Sequence, residues 1–296
     1  MQTPSRTFSL VTALAAVLVA CGGEGTSTAS YPYPPTGTVR RATTLGYGQI
    51  QDDPSLPGGC GLVDNRWNQV HAASGPNAER VFVEDLAGGT PAFGWQWVWP
   101  TGADVVTYPE VVCGNKPWDM GAGGEFQLTD PHVFQPARTA LSADYHLAFR
   151  STGTHNIAFS IWAVRDWAHP LDTLADEIMI WVDNKGMRPS GSRVGTVQSG
   201  ATTFDVWLNP GQTDHSGGSS ATWTYVAFVA QEPVLDGPLD FTPLFDYLTT
   251  HDLPGAAGTP ILHPDTWVGS VELGTEIVGG GGLMEISGFS ISRADR

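Results

Sequence analysis

The chain has 296 residues, of which 41% are hydrophobic and only 15% charged, with 36 Gly, 22 Pro, 11 Trp and 12 Phe. That balance is unlike a helical protein rich in Ala, Glu, Lys and Leu, and suits many short strands joined by Gly/Pro turns. The formal net charge of −16 excludes a polyanion such as nucleic acid as the natural partner, because no Lys/Arg surplus exists to neutralise phosphates.

In chain order, residues 1–21 read as a signal segment. Arg6 precedes an apolar run from Phe8 to Ala20, too short to span a bilayer and the right length for a secretory core. The run ends in "LVAC", which resembles a bacterial lipobox with Cys21 as the lipidated residue. The membrane would then be met only through an N-terminal lipid anchor, on an exported protein held at the cell envelope or secreted. Residues 22–42 read as a flexible linker, Gly/Ser/Thr-rich and then "YPYPPTG". Residues 43–296 read as one domain. "RVFVEDL", "FGWQWVWP", "YHLAFRS", "NIAFSIWAV", "EIMIWVD", "TTFDVWLNP", "TWTYVAFVA" and "MEISGFSISR" are strand-like, and many alternate by twos. "LDFTPLFDYLTTHD" differs, placing Phe241, Leu244, Phe245 and Leu248 at helical spacing behind an Asp240 N-cap, with Pro243 in the first turn. The expectation is an all-β sandwich of two curved antiparallel sheets with a concave cleft and one packed α-helix. Cys60 and Cys113 are a candidate disulfide in an exported protein, with two separate buried thiols as the alternative.

The chemistry concentrates in two acidic stretches. In "DEIMIW" (176–181), strand alternation puts Glu177, Met179 and Trp181 on one face and Asp176, Ile178 and Ile180 on the other. The first set suits the floor of a sugar-binding cleft. The second suits a core, with Asp176 as a turn cap or the partner of an Arg. In "WVGSVELGTEIVGGGG" (267–282), alternation groups Glu276 and Glu272 with Ser270 and Val268. Two acids on separate strands of one sheet can meet across a cleft. Retaining glycoside hydrolysis uses such a pair, about 5–5.5 Å apart, as nucleophile and acid/base. No His spacing suits a metal ligand set, and neither a nucleophile elbow nor a P-loop is present, so no catalytic metal or cofactor is expected, with a structural Ca²⁺ in the polar loops "LNPGQTDHSGG" or "VRDWAHPLD" left open.

These residues also carry a family resemblance. "EIMIW" resembles the Glu-x-Met-x-Trp nucleophile motif of glycoside hydrolase family 12, the jelly-roll endo-β-1,4-glucanases. "GTEIVGG" (274–280) is similar to its Gly-aromatic-Glu acid/base motif, with Thr275 in place of the aromatic. "DNRWNQ", "VTYPEVVCGNKPW", "RPSGSRVGTV" and "FTPLFDYL" follow in family order, so the resemblance spans about 45–293. It implies Glu177 as nucleophile, ionised in a polar setting, and Glu276 as general acid/base with a raised pKa. It also implies Met179 beneath the reacting sugar, Trp181 beside it, Asn65 and Trp67 at the glycone end, and Trp118 as a further stacking residue. The implied substrate is β-1,4-glucan: cellulose, mixed-linkage glucan or xyloglucan. One departure stands out. The family places an Asp before the nucleophile strand, where this chain has Ser160. That substitution motivates the alternative of a non-catalytic glycan-binding surface lipoprotein on the same fold. A monomer is expected, since nothing argues for an obligate oligomer.

Overall fold

The structure is a computed structural model that describes residues 30–44, 48–118, 133–214 and 220–296. The signal-type segment, with Cys21, and residues 22–29 of the expected linker lie outside the described residues. The strands are β1 (Thr38–Ala42), β2 (Gln49–Ile50), β3 (Cys60–Val63), β4 (Ala78–Asp85), β5 (Pro91–Trp99), β6 (Glu110–Gly114), β7 (Thr139–Ser151) and β8 (His155–Val164). They continue with β9 (Leu174–Lys185), β10 (Ser192–Ser199), β11 (Thr202–Thr213), β12 (Thr222–Ala230) and β13 (Leu239–Asp240). Helix α1 (Thr242–Thr250) precedes β14 (Trp267–Val268), β15 (Ser270–Gly274) and β16 (Gly280–Asp295).

Two sheets form a sandwich. The six-stranded outer sheet runs β1-β4-β5-β16-β7-β13, and the ten-stranded inner sheet runs β10-β11-β12-β9-β8-β15-β6-β3-β2, with β14 also on β8. The inner sheet departs from the expected antiparallel pairing at one place, where β12 lies parallel to β9. The β10–β11 hairpin lies between those strands in the chain and provides the crossover that a parallel pair requires.

Alternation decides which face each residue serves. Ile157, Phe159 and Ile161 of β8, with Ile178, Ile180 and Val182 of β9, join Phe93, Trp95 and Trp97 of β5 in the inter-sheet core. Each such side chain contributes about 1.5–3 kcal/mol by leaving water. Their neighbours Ala158, Met179 and Trp181 form a separate cluster with Tyr225 and Ala227 on the other face of the inner sheet.

Helix α1 buries Leu244, Phe245 and Leu248 against the same core. It begins one turn position later than expected: Phe241 occupies the cap position and Asp240 lies in β13. Asp240 still performs a capping task, because its Oδ1 accepts the Thr242 backbone N–H at 2.9 Å.

Two further expectations change. Residues 38–42, read as linker, are strand β1, paired antiparallel with β4. Just before it, Thr36 donates through its backbone N–H and hydroxyl to Glu285 Oε1 (2.6 and 2.7 Å), and Gly37 N–H to Glu84 Oε2 (2.7 Å). The 267–276 stretch is not one continuous strand. It breaks at Gly269, where a Cβ would sit 1.9 Å from the Trp167 ring. The break changes the facing, so Val268 joins the core with Val271 and Leu273 instead of sharing a face with Glu272. Cys60 and Cys113 are directly opposite on β3 and β6 and are joined in a disulfide.

Candidate active site

The non-core face of the inner sheet holds the acids. Register places Trp162 of β8 opposite Glu177 of β9, Ser160 opposite Met179, and Ala158 opposite Trp181. On the other side of β8, Ser160 faces Glu272 and Ala158 faces Gly274 of β15. One wall therefore carries Trp162, Glu177 and Trp223. The floor between carries Glu272, Ser160 and Met179. The opposite wall carries Asn156 and Glu276, which lies just past the end of β15 rather than on it.

Each wall acid has a dedicated donor. Trp223 Nε1–H donates to Glu177 Oε2 at 2.7 Å. The Asn156 side-chain amide donates to Glu276 Oε2, while its Oδ1 accepts the Glu276 backbone N–H at 3.2 Å. Burial pushes the Glu177 carboxyl up to about 8, against the Trp223 hydrogen bond, with the charges of Glu276 and Glu272 adding to the rise. Burial likewise pushes Glu276 up to about 7, against the Asn156 hydrogen bond. Glu177 was expected to sit lower than Glu276. Instead both carboxyls are raised, each with one side-chain donor, and Glu177 carries in addition the charges of Glu276 and Glu272.

Glu272 is a third acid on this face, pushed up to about 8 by burial against the pull of Lys116. It is 1% exposed, with Ser270 Oγ donating to its Oε1 at 3.0 Å and Lys116 Nζ 3.1 Å from its Oε2. Glu177 and Glu276 are only half-buried, so substrate can reach them as it cannot reach Glu272. Asp176 points the other way, as alternation predicts. Burial raises its carboxyl to about 7, opposed by the Arg165 charge and a hydrogen bond from Thr224.

The departure at Thr275 and the glycine before it each have a local reason. Thr275 is fully buried, and its hydroxyl accepts Trp95 Nε1–H at 3.0 Å, so an indole from the outer sheet fills the space. Gly274 lets Tyr108 lie across it, since a Cβ there would meet the phenol ring at 2.6 Å. Tyr108 spans to β8 and donates its hydroxyl to Ala158 O at 2.8 Å.

Asn65 and Trp67 are presented by a buried network beneath them. Arg66 chelates Asp64 (2.7 and 3.1 Å) and donates to Glu79 O (2.6 Å), while Glu79 accepts from Thr107 and Trp99. With 64 and 66 turned inward, Asn65 and Trp67 turn outward. Asn65 Nδ2 donates to Glu110 Oε1 at 2.8 Å, and Trp67 is 41% exposed. Trp118 is 44% exposed and packs edge-on against Trp162 at 5.0 Å, which packs in turn on Trp223 at 5.4 Å. Met179 and Trp181 are buried, and the Trp181 indole N–H points at Met179 Sδ, 3.5 Å away. Trp181 thus packs beside Met179 on the same face of the sheet, buried rather than open to a sugar as expected. Sequence reasoning passed over Asn156, Trp162, Trp223 and Lys116. Trp162 was accessible to it, being two residues from Ser160 on the same strand face. Asn156 and Trp223 required the register of β8 and β12. Among the described residues no group of three His, Cys, Asp or Glu is arranged to hold a metal ion.

Comparisons with known proteins identify the family. "Endoglucanase S" of Pectobacterium parmentieri is 28% identical over 205 residues, 68% of this chain and 71% of that protein. The family 12 xyloglucanase of Bacillus licheniformis superposes with a TM-score of 0.68 at 21% identity, over 86% of this chain and all of that one. Trichoderma harzianum endoglucanase 3 superposes with a TM-score of 0.62 at 17% identity, over 86% of this chain and 97% of that one. These two share the jelly-roll fold with the chain. The family description "Glycosyl hydrolase family 12" matches residues 59–293. The chain therefore belongs to glycosyl hydrolase family 12 and is a glycoside hydrolase.

Proposed function

We propose that the protein is a retaining endo-β-1,4-glucanase that cuts within β-glucan chains by double displacement. Glu177 is the nucleophile and Glu276 the general acid/base. The observation that carries this is the pair of half-buried carboxyls on one face of the inner sheet, near enough that the charge of Glu276 acts on Glu177, each held by a single amide or indole donor. In the first step the Glu177 carboxylate attacks the anomeric carbon while Glu276 gives its proton to the departing glycosidic oxygen. In the second, Glu276 takes a proton from water, the water oxygen bonds to that carbon, and the ester to Glu177 breaks. Glycosylation removes the Glu177 charge and lowers the proton affinity of Glu276, which then serves as base. The productive form has Glu177 ionised and Glu276 protonated, one proton held between two carboxyls that burial raises together.

Asn65, Trp67, Trp118 and Trp162 offer flat faces and hydrogen bonds suited to neutral pyranose rings. The relatives' names, endoglucanase and xyloglucanase, support testing β-glucans and xyloglucan as substrates. Residues 1–21 are proposed as a lipoprotein signal ending at Cys21, and the enzyme as exported and lipid-anchored. The test is reducing-sugar release from carboxymethyl-cellulose, barley β-glucan and xyloglucan. Wild type should release sugar from at least one, and Glu177→Gln and Glu276→Gln should each lose nearly all of it. Near-wild-type rates in either variant would overturn the roles. Glucan binding without release by wild type would overturn catalysis on these glucans.

A further inference from the structure

Lys116 has no part in the chemistry above, yet it is 6% exposed and tied in three directions. Its ammonium is 2.7 Å from Glu110 Oε1 and 3.1 Å from Glu272 Oε2, and lies 5.5 Å from the Trp118 ring centroid. Glu110 Oε1 is also the acceptor for Asn65 Nδ2. A single cation thus joins three parts of the cleft. It reaches Asn65 through Glu110, holds Glu272 on the floor, and lies over Trp118, which packs on the wall residue Trp162.

We propose that Lys116 is a positioning residue for glucan binding, holding Asn65 and Trp118 at a fixed separation on either side of the bound chain. The inference rests on the cleft being a glucan site. Lys116 is compelled to stay in place. Burial alone would lower its proton affinity, but the charges of Glu110 and Glu272 outweigh that and raise it, so it remains a cation. Glu110 depends on it in return, since its other oxygen, Oε2, is buried with no hydrogen-bond partner among the described residues. Without Lys116, Glu110 would keep the Asn65 amide as its donor among the described residues and would face Glu272 uncompensated. Removing one member of a buried ion pair is costly for that reason. Among the described residues, Trp118 would lose its cationic contact and keep the ring contact with Trp162.

The experiment compares wild type with Lys116→Met, Trp118→Ala and their combination on a long glucan. Lys116→Met should raise KM about tenfold with kcat within about threefold of wild type. The KM increases of the two single variants should not multiply in the double variant, because a fixed Trp118 is part of what Lys116 supplies. Lys116→Met/Glu272→Gln keeps the formal charge of the cluster and should show the same KM rise. It serves as the second variant should Lys116→Met not fold. Glucan retention in native gels is then measured in a Glu177→Gln background, where adding Lys116→Met should weaken retention by a similar factor. Unchanged KM, equal losses in kcat and KM, or full multiplication with Trp118→Ala would overturn the inference. So would unchanged retention, while the roles of Glu177 and Glu276 would stand on their own reducing-end assay.

Discussion

Replacing Trp223 by Phe isolates the control of Glu177, the proposed nucleophile. Phe retains an aromatic ring beside Trp162 but removes the indole N–H, 2.7 Å from Glu177 Oε2. Hydrogen bonds to charged groups contribute about 1.5–3 kcal/mol. The partly exposed setting of both partners favours the low end of that range, about 1.5 kcal/mol, or roughly tenfold. The bond stabilises the carboxylate, so its loss raises the proton affinity of Glu177 by about one pH unit. The productive state has Glu177 ionised and Glu276 protonated. On the acid side of the optimum, its population is proportional to the ionisation constant of Glu177. On the alkaline side, only the proton on Glu276 matters. Trp223→Phe should therefore lower kcat/KM about tenfold well below the optimum and converge on wild type well above it. The assay is kcat/KM for β-glucan across the pH range. An equal loss at every pH would mean that Trp223 acts by shape, and no loss at acid pH would refute the electrostatic argument.

Asn156→Ala should act on the opposite limb, since removing the donor to Glu276 raises its proton affinity and extends activity to higher pH. Normalised kcat/KM profiles check this, and an unshifted alkaline limb would refute it. Stability should fall as pH rises from about 4.5 to about 8. Asp176 and Glu276 are raised to about 7, and Glu177 and Glu272 to about 8, so the folded chain keeps protons that the unfolded chain would release. A net loss of even about 2 kcal/mol should lower Tm by roughly 4–8 °C between those limits; a flat or rising Tm by scanning fluorimetry would contradict the sign. The Cys60–Cys113 bond closes a loop with a sequence separation of 53. Cys60→Ser/Cys113→Ser should cost about 2–4 kcal/mol, measured by urea denaturation. Gly269→Ala should destabilise by driving a methyl into the Trp167 ring, seen as a lower urea midpoint without a change in substrate preference.

Much of this was legible in the sequence because strand periodicity is a strong signal. The alternation in 176–181 correctly separates Glu177, Met179 and Trp181 from Ile178 and Ile180. The helix was legible from Leu244, Phe245 and Leu248, though its first residue was not, because Asp240 caps from within a strand. What escaped depended on register or on distant partners. Val268 changes face because Gly269 makes room for Trp167, a residue 102 positions earlier in the chain. Strand β1 looked like linker because its anchors, Glu84 and Glu285, come from β4 and β16. The donors to the two acids, Trp223 and Asn156, come from strands on either side of the pairings that bring them in. No local pattern marks such residues, whereas the acids stand in motifs of their own.

The central claim is retention through a covalent intermediate on Glu177. The most direct measurement is proton NMR of the first products from a short β-1,4-glucan, recorded before mutarotation. Double displacement predicts that the newly formed reducing end appears first as the β-anomer and drifts toward the equilibrium mixture. An α-anomer appearing first would mean single displacement by water, and Glu177 would then be a base rather than a nucleophile.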